Sequence, residues 1–269
     1  MIKNLFDNES DYAILSEMIS LPSEQILHQN VGKIDVQEVH NQRNQSILSV
    51  ANAFKDELLE LYYQLNTPKA FDLSTQSIGE RAIKNKCLSY LSKLGEYDIA
   101  YQQFINAECM TDQFGAFQCL LDSENRYRAE VITQFYNQHQ SDVQVMDKWF
   151  SAQCIASASS VEDVRGLMKH ELFSMTNPNR IRSVIGSFSQ NSNQFHCQEG
   201  YQLLTKVIIE LDHLNPQIAA RFVGIYNHWR RFTTQYSMLQ EQQLNSIIQR
   251  DKLSKDVYEI IHSALKGKT

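Results

Sequence analysis

Apolar residues recur at steps of three and four along nearly the whole chain, which is the spacing of one face of an α-helix. Shorter stripes, such as those in 207–214 and 257–265, predict individual helices separated by short polar breaks. We count about a dozen helices of roughly 10–20 residues each. The longest stripe predicts a single long helix that begins near Asp35 and buries Ile47, Ala51, Phe54, Leu58, Leu61 and Leu65.

Polar residues at several positions mark where helices start. Asn177 and Asn215 each precede a proline, which favours a side-chain cap followed by proline in the first turn. Ser160 precedes Glu162 and Asp163, an acidic first turn that suits the exposed N–H groups of a helix N-terminus. These signals divide the second half of the chain into separate helices.

The composition agrees with long helices and few tight turns. The 269 residues include only 9 Gly and 4 Pro, which disfavours a sheet fold that needs many turn residues. We therefore predict an all-α fold, a superhelical array of antiparallel helix pairs of the armadillo or HEAT type (an α-solenoid). A compact helical bundle is the alternative.

The formal net charge of −6 is unevenly distributed. Residues 165–235 contain eight basic and four acidic side chains, whereas the rest of the chain is strongly acidic. The basic window indicates either a local anionic partner or a solvated face with ordinary ion pairs. An acidic chain without interleaved basic and aromatic residues is not typical of nucleic-acid binding.

Location is predicted from features that the sequence lacks. No stretch approaches the roughly 18 consecutive apolar residues of a membrane span, and no signal peptide is visible at the start. The five cysteines are scattered and odd in number, as expected in a reducing compartment. We therefore expect no membrane contact and a cytoplasmic location.

Hydrolytic chemistry has no recognisable motif in this chain. His170 and Glu171 begin a motif like that of zinc peptidases, but Ser174 stands where the second histidine ligand is needed. His196 and Cys197 are adjacent, and neighbouring side chains rarely point together. The sequence thus predicts no catalytic residue and no metal ligand.

Arginines close to predicted helix starts are the remaining candidates for a binding site. Arg180 and Arg182 follow the Asn177–Pro178 start, and Arg221 follows Asn215 by about one and a half turns. A guanidinium group grips a carboxylate through two hydrogen bonds, and a helix N-terminus adds positive potential. A structural ion pair or a clamp on a backbone carbonyl is the competing interpretation for each.

Several segments resemble the C-terminal helical domain of bacterial aminopeptidase N, a zinc metallopeptidase of the gluzincin family. The match to that family is carried, in the same order along the chain, by RAIKNKCL (81–88), NAECMTD (106–112), VMDKWF (145–150), TNPNRIRSVIG (176–186), NPQIAAR (215–221) and SKDVYE (254–259), with a looser match at SLPS (20–23).

The resemblance implies that residues 1–269 form one C-terminal helical domain of a larger aminopeptidase. Residues 1–70 are then the leading helices, truncated at the N-terminal end, and residues 71–269 are the core of the array. The family's HExxH motif and G-x-M-E-N loop are absent, so the Zn²⁺ cofactor is implied for the parent enzyme and none for this chain. The implied partners are the catalytic domain of the same polypeptide and short peptides.

The resemblance further implies a non-catalytic cap that closes the active-site chamber, controls access and binds the distal end of the peptide. Arg182 and Arg221, with Asn179 more weakly, match family residues near that chamber and are the expected substrate-binding residues. One departure is the turn at 197–200, which is shorter than the Gly-containing turn usual in the family. The alternative function is a free-standing helical scaffold that binds a peptide or protein in its concave face.

Overall fold

The structure, a computed structural model, describes residues 11–67 and 71–267, and within these ranges the chain is almost entirely helical. The all-α prediction is confirmed. The α-helices number sixteen in the described ranges, more than the expected dozen because several are only one or two turns long. They are α1 (Tyr12–Met18), α2 (Glu24–Gln29), α3 (Val36–Ala53), α4 (Lys55–Leu65), α5 (Thr75–Lys93), α6 (Tyr97–Asn106), α7 (Met110–Leu121), α8 (Arg128–His139), α9 (Val143–Ile155), α10 (Val161–Leu167), α11 (Pro178–Ile181), α12 (Ser192–Phe195), α13 (Gln198–Leu214), α14 (Pro216–Val223), α15 (Thr234–Ile248) and α16 (Lys255–Lys266).

Three short helical turns complete the secondary structure. A π-helical turn, Arg182–Gly186, continues directly from α11, and two 3₁₀ turns, Gly224–Tyr226 and Trp229–Arg231, follow α14. Ile34 and Phe232 form an isolated parallel β-bridge, and the described ranges contain no strand beyond it. None of the helices in these ranges is long and apolar enough to cross a membrane.

The prediction of a single long helix over residues 35–65 is wrong, because Phe54 interrupts the helix. The predicted start is right: α3 begins at Val36, and the Asp35 carboxylate accepts the Glu38 N–H at 3.2 Å. Phe54 then leaves helical geometry, with φ −125° and ψ 24°, and α4 begins at the next residue. A break of one residue barely shifts the apolar spacing, so the hydrophobic pattern does not reveal it.

The described residues divide into two compact units. One unit comprises the described residues up to Ser23 together with those from Asn41 to Gln138. Its core contains stacked aromatic rings, with the Phe117 and Phe135 centroids 4.5 Å apart. Helix α7 approaches α5 closely, since a Cβ on Gly115 would lie 2.8 Å from the Asn85 side chain.

The other unit comprises the residues from Glu24 to His40 and the described residues from His139 onward. Phe150, Phe188 and Tyr201 are fully buried in it. The buried Tyr226 hydroxyl donates to the Tyr201 carbonyl at 3.0 Å, which ties the turn after α14 to the first turn of α13. The expected division into leading helices 1–70 and core 71–269 concerns the array rather than these units and stays a prediction.

The predicted helix starts in this second unit are confirmed. The Asn177 side chain accepts the N–H groups of Asn179 and Arg180 at 3.0 and 3.3 Å, with Pro178 in the first turn. Asn215 caps α14 in the same way, ahead of its proline. Ser160 forms a capping box with the residue three positions on. These caps fix the positions from which the candidate arginines project.

Candidate functional site

The segment that carries two candidate residues is a capped helical turn that widens into a π-helix. Helix α11 starts behind Asn177 and has only four residues before the π-turn begins at Arg182. A π-turn changes the direction in which successive side chains leave the helix, and such turns are frequent at functional sites. Asn179 and Arg182 are both exposed here, and the Arg182 Nη1 donates to the Asn179 Oδ1 at 3.3 Å.

Arg221 lies on α14, which packs beside this π-turn. The contact is seen at Gly186, where a Cβ would lie 3.8 Å from the Arg182 Cβ and 3.9 Å from the Phe222 ring. The Arg221 side chain is exposed and makes no hydrogen bond or ion pair within the part of the chain that the structure describes. The fold therefore brings the elements carrying Arg182 and Arg221 together, with both side chains exposed at the surface.

Arg180, unlike Arg182, has a structural role. Its side chain is only 4% exposed, its Nη1 lies 3.1 Å from the Asp147 Oδ1, and its guanidinium lies 4.8 Å from the centre of the Phe150 ring. The Arg180 Nε and Nη1 and the Asp147 Oδ1 have no aligned hydrogen-bond partner among the described atoms. An ion pair and a cation–π contact thus hold α11 against α9.

Other arginines of the basic window clamp backbone carbonyl groups. The Arg230 guanidinium donates to the carbonyls of Ala264 and Leu265, both at 2.6 Å, at the C-terminal end of α16. The Arg231 Nη2 donates to the carbonyls of His28 and Val31 at 2.8 and 2.9 Å. The basic window therefore contains arginines that clamp backbone carbonyls as well as exposed arginines, and an anionic partner for the exposed ones stays a prediction.

The histidine that resembles a zinc-peptidase ligand has a structural environment. The His170 ring lies 5.3 Å from the Trp149 ring and 5.5 Å from the Phe150 ring, and its Nδ1 accepts the Leu172 N–H at 3.2 Å. Within residues 11–67 and 71–267, no three His, Cys, Asp or Glu side chains are grouped so that they could hold a metal ion. The described residues therefore do not fit a zinc site.

His196 and Cys197 point to different partners. The His196 Nδ1 lies 2.8 Å from the Tyr201 hydroxyl, and burial lowers the pKa of His196 to about 3. The Cys197 Sγ accepts the Gly200 N–H at 3.3 Å and so caps α13, while burial raises the pKa of this thiol. A neutral thiol at a helix cap is not an activated nucleophile.

Sequence reasoning missed a buried polar network in the first unit. Lys84 on α5 lies 2.7 Å from the Asp112 Oδ2 on α7, and Asn85 donates to the other oxygen of the same carboxylate at 2.9 Å. These residues fall within segments that carry the resemblance, but their charges look like those of a solvated helix face. The i, i+4 spacing of Glu80 and Lys84 is also typical of a solvated helix face, so the sequence carried no signal that Lys84 is buried against Asp112.

The described residues form an all-helical domain that exposes Arg182 and Arg221 on adjacent elements. The comparisons specify the family. The chain belongs to the DUF3458_C family, described as a domain of unknown function with ARM repeats, which matches residues 1–266. This match agrees with the predicted helical array.

Curated relatives identify the proteins in which this domain occurs. The chain is 32% identical over 264 residues to aminopeptidase N of Haemophilus influenzae and 31% identical over 269 residues to that of Escherichia coli. These alignments cover 96% and 97% of this chain but only 30% and 31% of the relatives, so the chain spans less than a third of their length. The predicted resemblance to the C-terminal helical domain of bacterial aminopeptidase N is confirmed.

A solved structure has the same fold. The crystal structure of Legionella pneumophila aminopeptidase A in complex with aspartic acid matches with a TM-score of 0.88 and 27% sequence identity. The match covers 98% of this chain and 33% of that one. Helices in the arrangement described above are thus also found as one part of a longer aminopeptidase.

Proposed function

We propose that this chain is the non-catalytic C-terminal cap domain of an aminopeptidase N-like zinc metallopeptidase, which removes N-terminal amino acids from peptides. The proposal treats residues 1–269 as one domain of a longer polypeptide whose catalytic domain holds the Zn²⁺ and is this domain's partner. It is supported by the match of nearly the whole chain to about 30% of each relative. We also propose a cytoplasmic location, in keeping with five cysteines that are all free thiols.

In this proposal the cap closes the active-site chamber, controls access to it and binds the distal end of the peptide. The observation that carries the last role is the exposure of Arg182 and Arg221 on adjacent elements that meet at Gly186. A peptide ends in a carboxylate, which a planar guanidinium group can bind through two charge-assisted hydrogen bonds. Asn179, through its amide oxygen, holds the Arg182 Nη1 and so orients that guanidinium.

Binding of a labelled tripeptide to the purified chain tests this role. The tripeptide with a free carboxylate is compared with the same tripeptide carrying a C-terminal amide, which lacks the negative charge. We expect the acid to bind more tightly, and we expect Arg182→Ala and Arg221→Ala each to weaken its binding roughly tenfold, because each removes a charge-assisted contact. Fluorescence anisotropy gives both affinities.

Arg250→Ala is the matched control, since Arg250 is an exposed arginine distant in sequence from this surface. Its affinity for the acid should equal that of the unchanged protein. Equal binding of acid and amide, or unchanged binding by both arginine variants, would contradict the proposed role. Binding that ignores the carboxylate would instead favour a scaffold that recognises peptide side chains.

A further inference from the structure

Two stretches of the chain contain no acidic residue, and they carry the arginines of the proposed peptide site. Residues 172–198 include no Asp or Glu, and neither do residues 214–240. The first stretch contains α11 and the π-helical turn, and the second contains α14. Residues close in sequence to Arg182 and Arg221 therefore cannot neutralise them, so a compensating negative charge has to come from another element or from a ligand.

The structure shows which arginines of these stretches are compensated within the protein. Three of them have partners already described, and they are Arg180, Arg230 and Arg231. Arg182 donates only to Asn179, at 3.3 Å, and that side chain is a neutral amide. No carboxylate in residues 11–67 and 71–267 forms an ion pair with Arg182 or Arg221. Two uncompensated positive charges therefore remain exposed to solvent.

The two uncompensated arginines belong to elements that touch each other. The Arg182 Cβ and the Phe222 ring both lie within 4 Å of the position that a Cβ on Gly186 would occupy. Arg221 directly precedes Phe222 in the sequence. Charges attract one another over about 8 Å at physiological ionic strength, so an anionic group bound over this contact interacts with both guanidinium groups.

A single carboxylate is too little charge for two guanidinium groups. A carboxylate carries one negative charge, and one planar guanidinium group already occupies both of its oxygens in a bidentate contact. A peptide that ends in a neutral residue brings one carboxylate to this surface. A peptide that ends in aspartate or glutamate brings two, one on the main chain and one on the side chain of the same residue.

We propose that the surface formed by Arg182 and Arg221 prefers peptides whose C-terminal residue is acidic. One guanidinium group binds the main-chain carboxylate, and the other binds the carboxylate of the last side chain. This inference rests on the proposed function, because it names the class of peptide that the same site favours.

Four tetrapeptides with the same neutral N-terminal fluorophore test the preference by fluorescence anisotropy with the purified chain. They are Gly-Ala-Ala-Glu, Gly-Ala-Ala-Gln, the C-terminal amide of the second, and Glu-Ala-Ala-Gln. We expect Gly-Ala-Ala-Glu to bind about fivefold more tightly than Gly-Ala-Ala-Gln, because it makes a second charge-assisted contact. Glu-Ala-Ala-Gln has the same net charge as the first peptide but should bind like Gly-Ala-Ala-Gln, since its glutamate is at the other end.

Arg182→Ala and Arg221→Ala should each reduce the preference for glutamate over glutamine to less than about twofold, because the one remaining guanidinium group binds only one carboxylate. Both side chains are exposed, so we expect both variants to fold, which circular dichroism checks. Arg182→Gln and Arg221→Gln serve in their place if an alanine variant does not fold. Arg250→Ala is the matched control, and it should keep the full preference.

Equal binding of Gly-Ala-Ala-Glu and Gly-Ala-Ala-Gln would overturn this inference. A preference that survives in both arginine variants, or equally tight binding of Glu-Ala-Ala-Gln and Gly-Ala-Ala-Glu, would also overturn it. The amide separates these failures from a failure of the proposed function. If Gly-Ala-Ala-Gln binds more tightly than its amide and glutamate gives no advantage, only the preference is wrong. If the acid and its amide bind equally, the proposed function is contradicted, and this inference with it.

Discussion

Arg180 and Arg182 have different roles although they are only two positions apart. Residues at this spacing leave a helix on nearly opposite sides, so one side chain of the pair faces the interior when the other faces solvent. Arg180 contacts Asp147 and the Phe150 ring, whereas Arg182 is exposed and contacts Asn179. The spacing predicted that the two would diverge. It did not indicate which one is buried, because that depends on where α9 packs.

At the same scale, the buried His196 makes stability depend on pH. Burial, with a smaller contribution from His28, lowers the pKa of His196 to about 3, while the unfolded chain has an ordinary histidine pKa of about 6.5. Between these values the unfolded state binds a proton that the folded state does not. The stabilisation is fully present above about pH 6.5 and is lost as the pH falls towards 3, by up to ~1.4 kcal/mol per pH unit.

Urea unfolding of His196→Phe between about pH 6.5 and 4.5 measures this effect. The variant keeps an aromatic ring in the cluster but cannot titrate, so its free energy of unfolding should fall less steeply with decreasing pH than that of the unchanged protein. His213→Phe, at an exposed histidine, should keep the original slope. An unaltered slope in His196→Phe would mean that another group causes the pH dependence.

At the scale of elements, helix starts were predictable and helix interruptions were not. Asn177, Ser160 and Asn215 act through local side-chain contacts with the following residues, and such contacts are encoded in a few adjacent positions. The break at Phe54 and the π-turn after Ile181 have no such local signal, and the hydrophobic period continues through both. The hydrophobic period therefore predicts which face of a helix is buried, but not where a helix begins or ends.

The first turn of α13 depends on the glycine at position 200, which lies within the helix. A Cβ on Gly200 would lie 2.1 Å from the Phe195 carbonyl oxygen, far inside van der Waals contact, and that atom is backbone and cannot move aside cheaply. We predict that Gly200→Ala lowers the free energy of unfolding by about 3 kcal/mol or more, because the turn must open to admit the methyl group.

Gly166→Ala is the control for helix propensity. Gly166 also lies in a helix, α10, but an added Cβ there would meet nothing within 4 Å. This substitution should leave the protein unchanged or stabilise it by up to ~1 kcal/mol. Urea denaturation curves give the free energy of unfolding of both variants. Equal free energies of unfolding for Gly200→Ala and Gly166→Ala would contradict the prediction, because they would mean that the backbone around Gly200 accommodates a methyl group.

At the scale of the whole molecule, the fold class and the family could be predicted from sequence, whereas the buried polar network of the first unit could not. The helical period, the small number of turn residues and the six matching segments each involve many positions, so an error at a single residue does not change the prediction. The network depends on Lys84, Asn85 and Asp112, which come from two helices and meet only after packing. In the sequence these residues are ordinary polar positions on helices.

The central claim about the molecule is that it is an accessory domain that binds the carboxyl end of a peptide, with the chemistry performed elsewhere in a longer polypeptide. The proposal predicts different behaviour for two kinds of substrate. In the proposed arrangement, a peptide of several residues would reach Arg182 and Arg221, whereas an aminoacyl anilide would end before them. Loss of either arginine should therefore weaken the binding of the first kind of substrate only.

Steady-state kinetics of the longer polypeptide, with a catalytic domain joined to this one, is the most direct test. We predict that Arg182→Ala and Arg221→Ala each raise KM for a tetrapeptide roughly tenfold and leave KM and kcat for an aminoacyl anilide unchanged. In the control variant Arg250→Ala, KM and kcat should be unchanged for both substrates. Equal changes for tetrapeptide and anilide, or no change for either, would contradict the account.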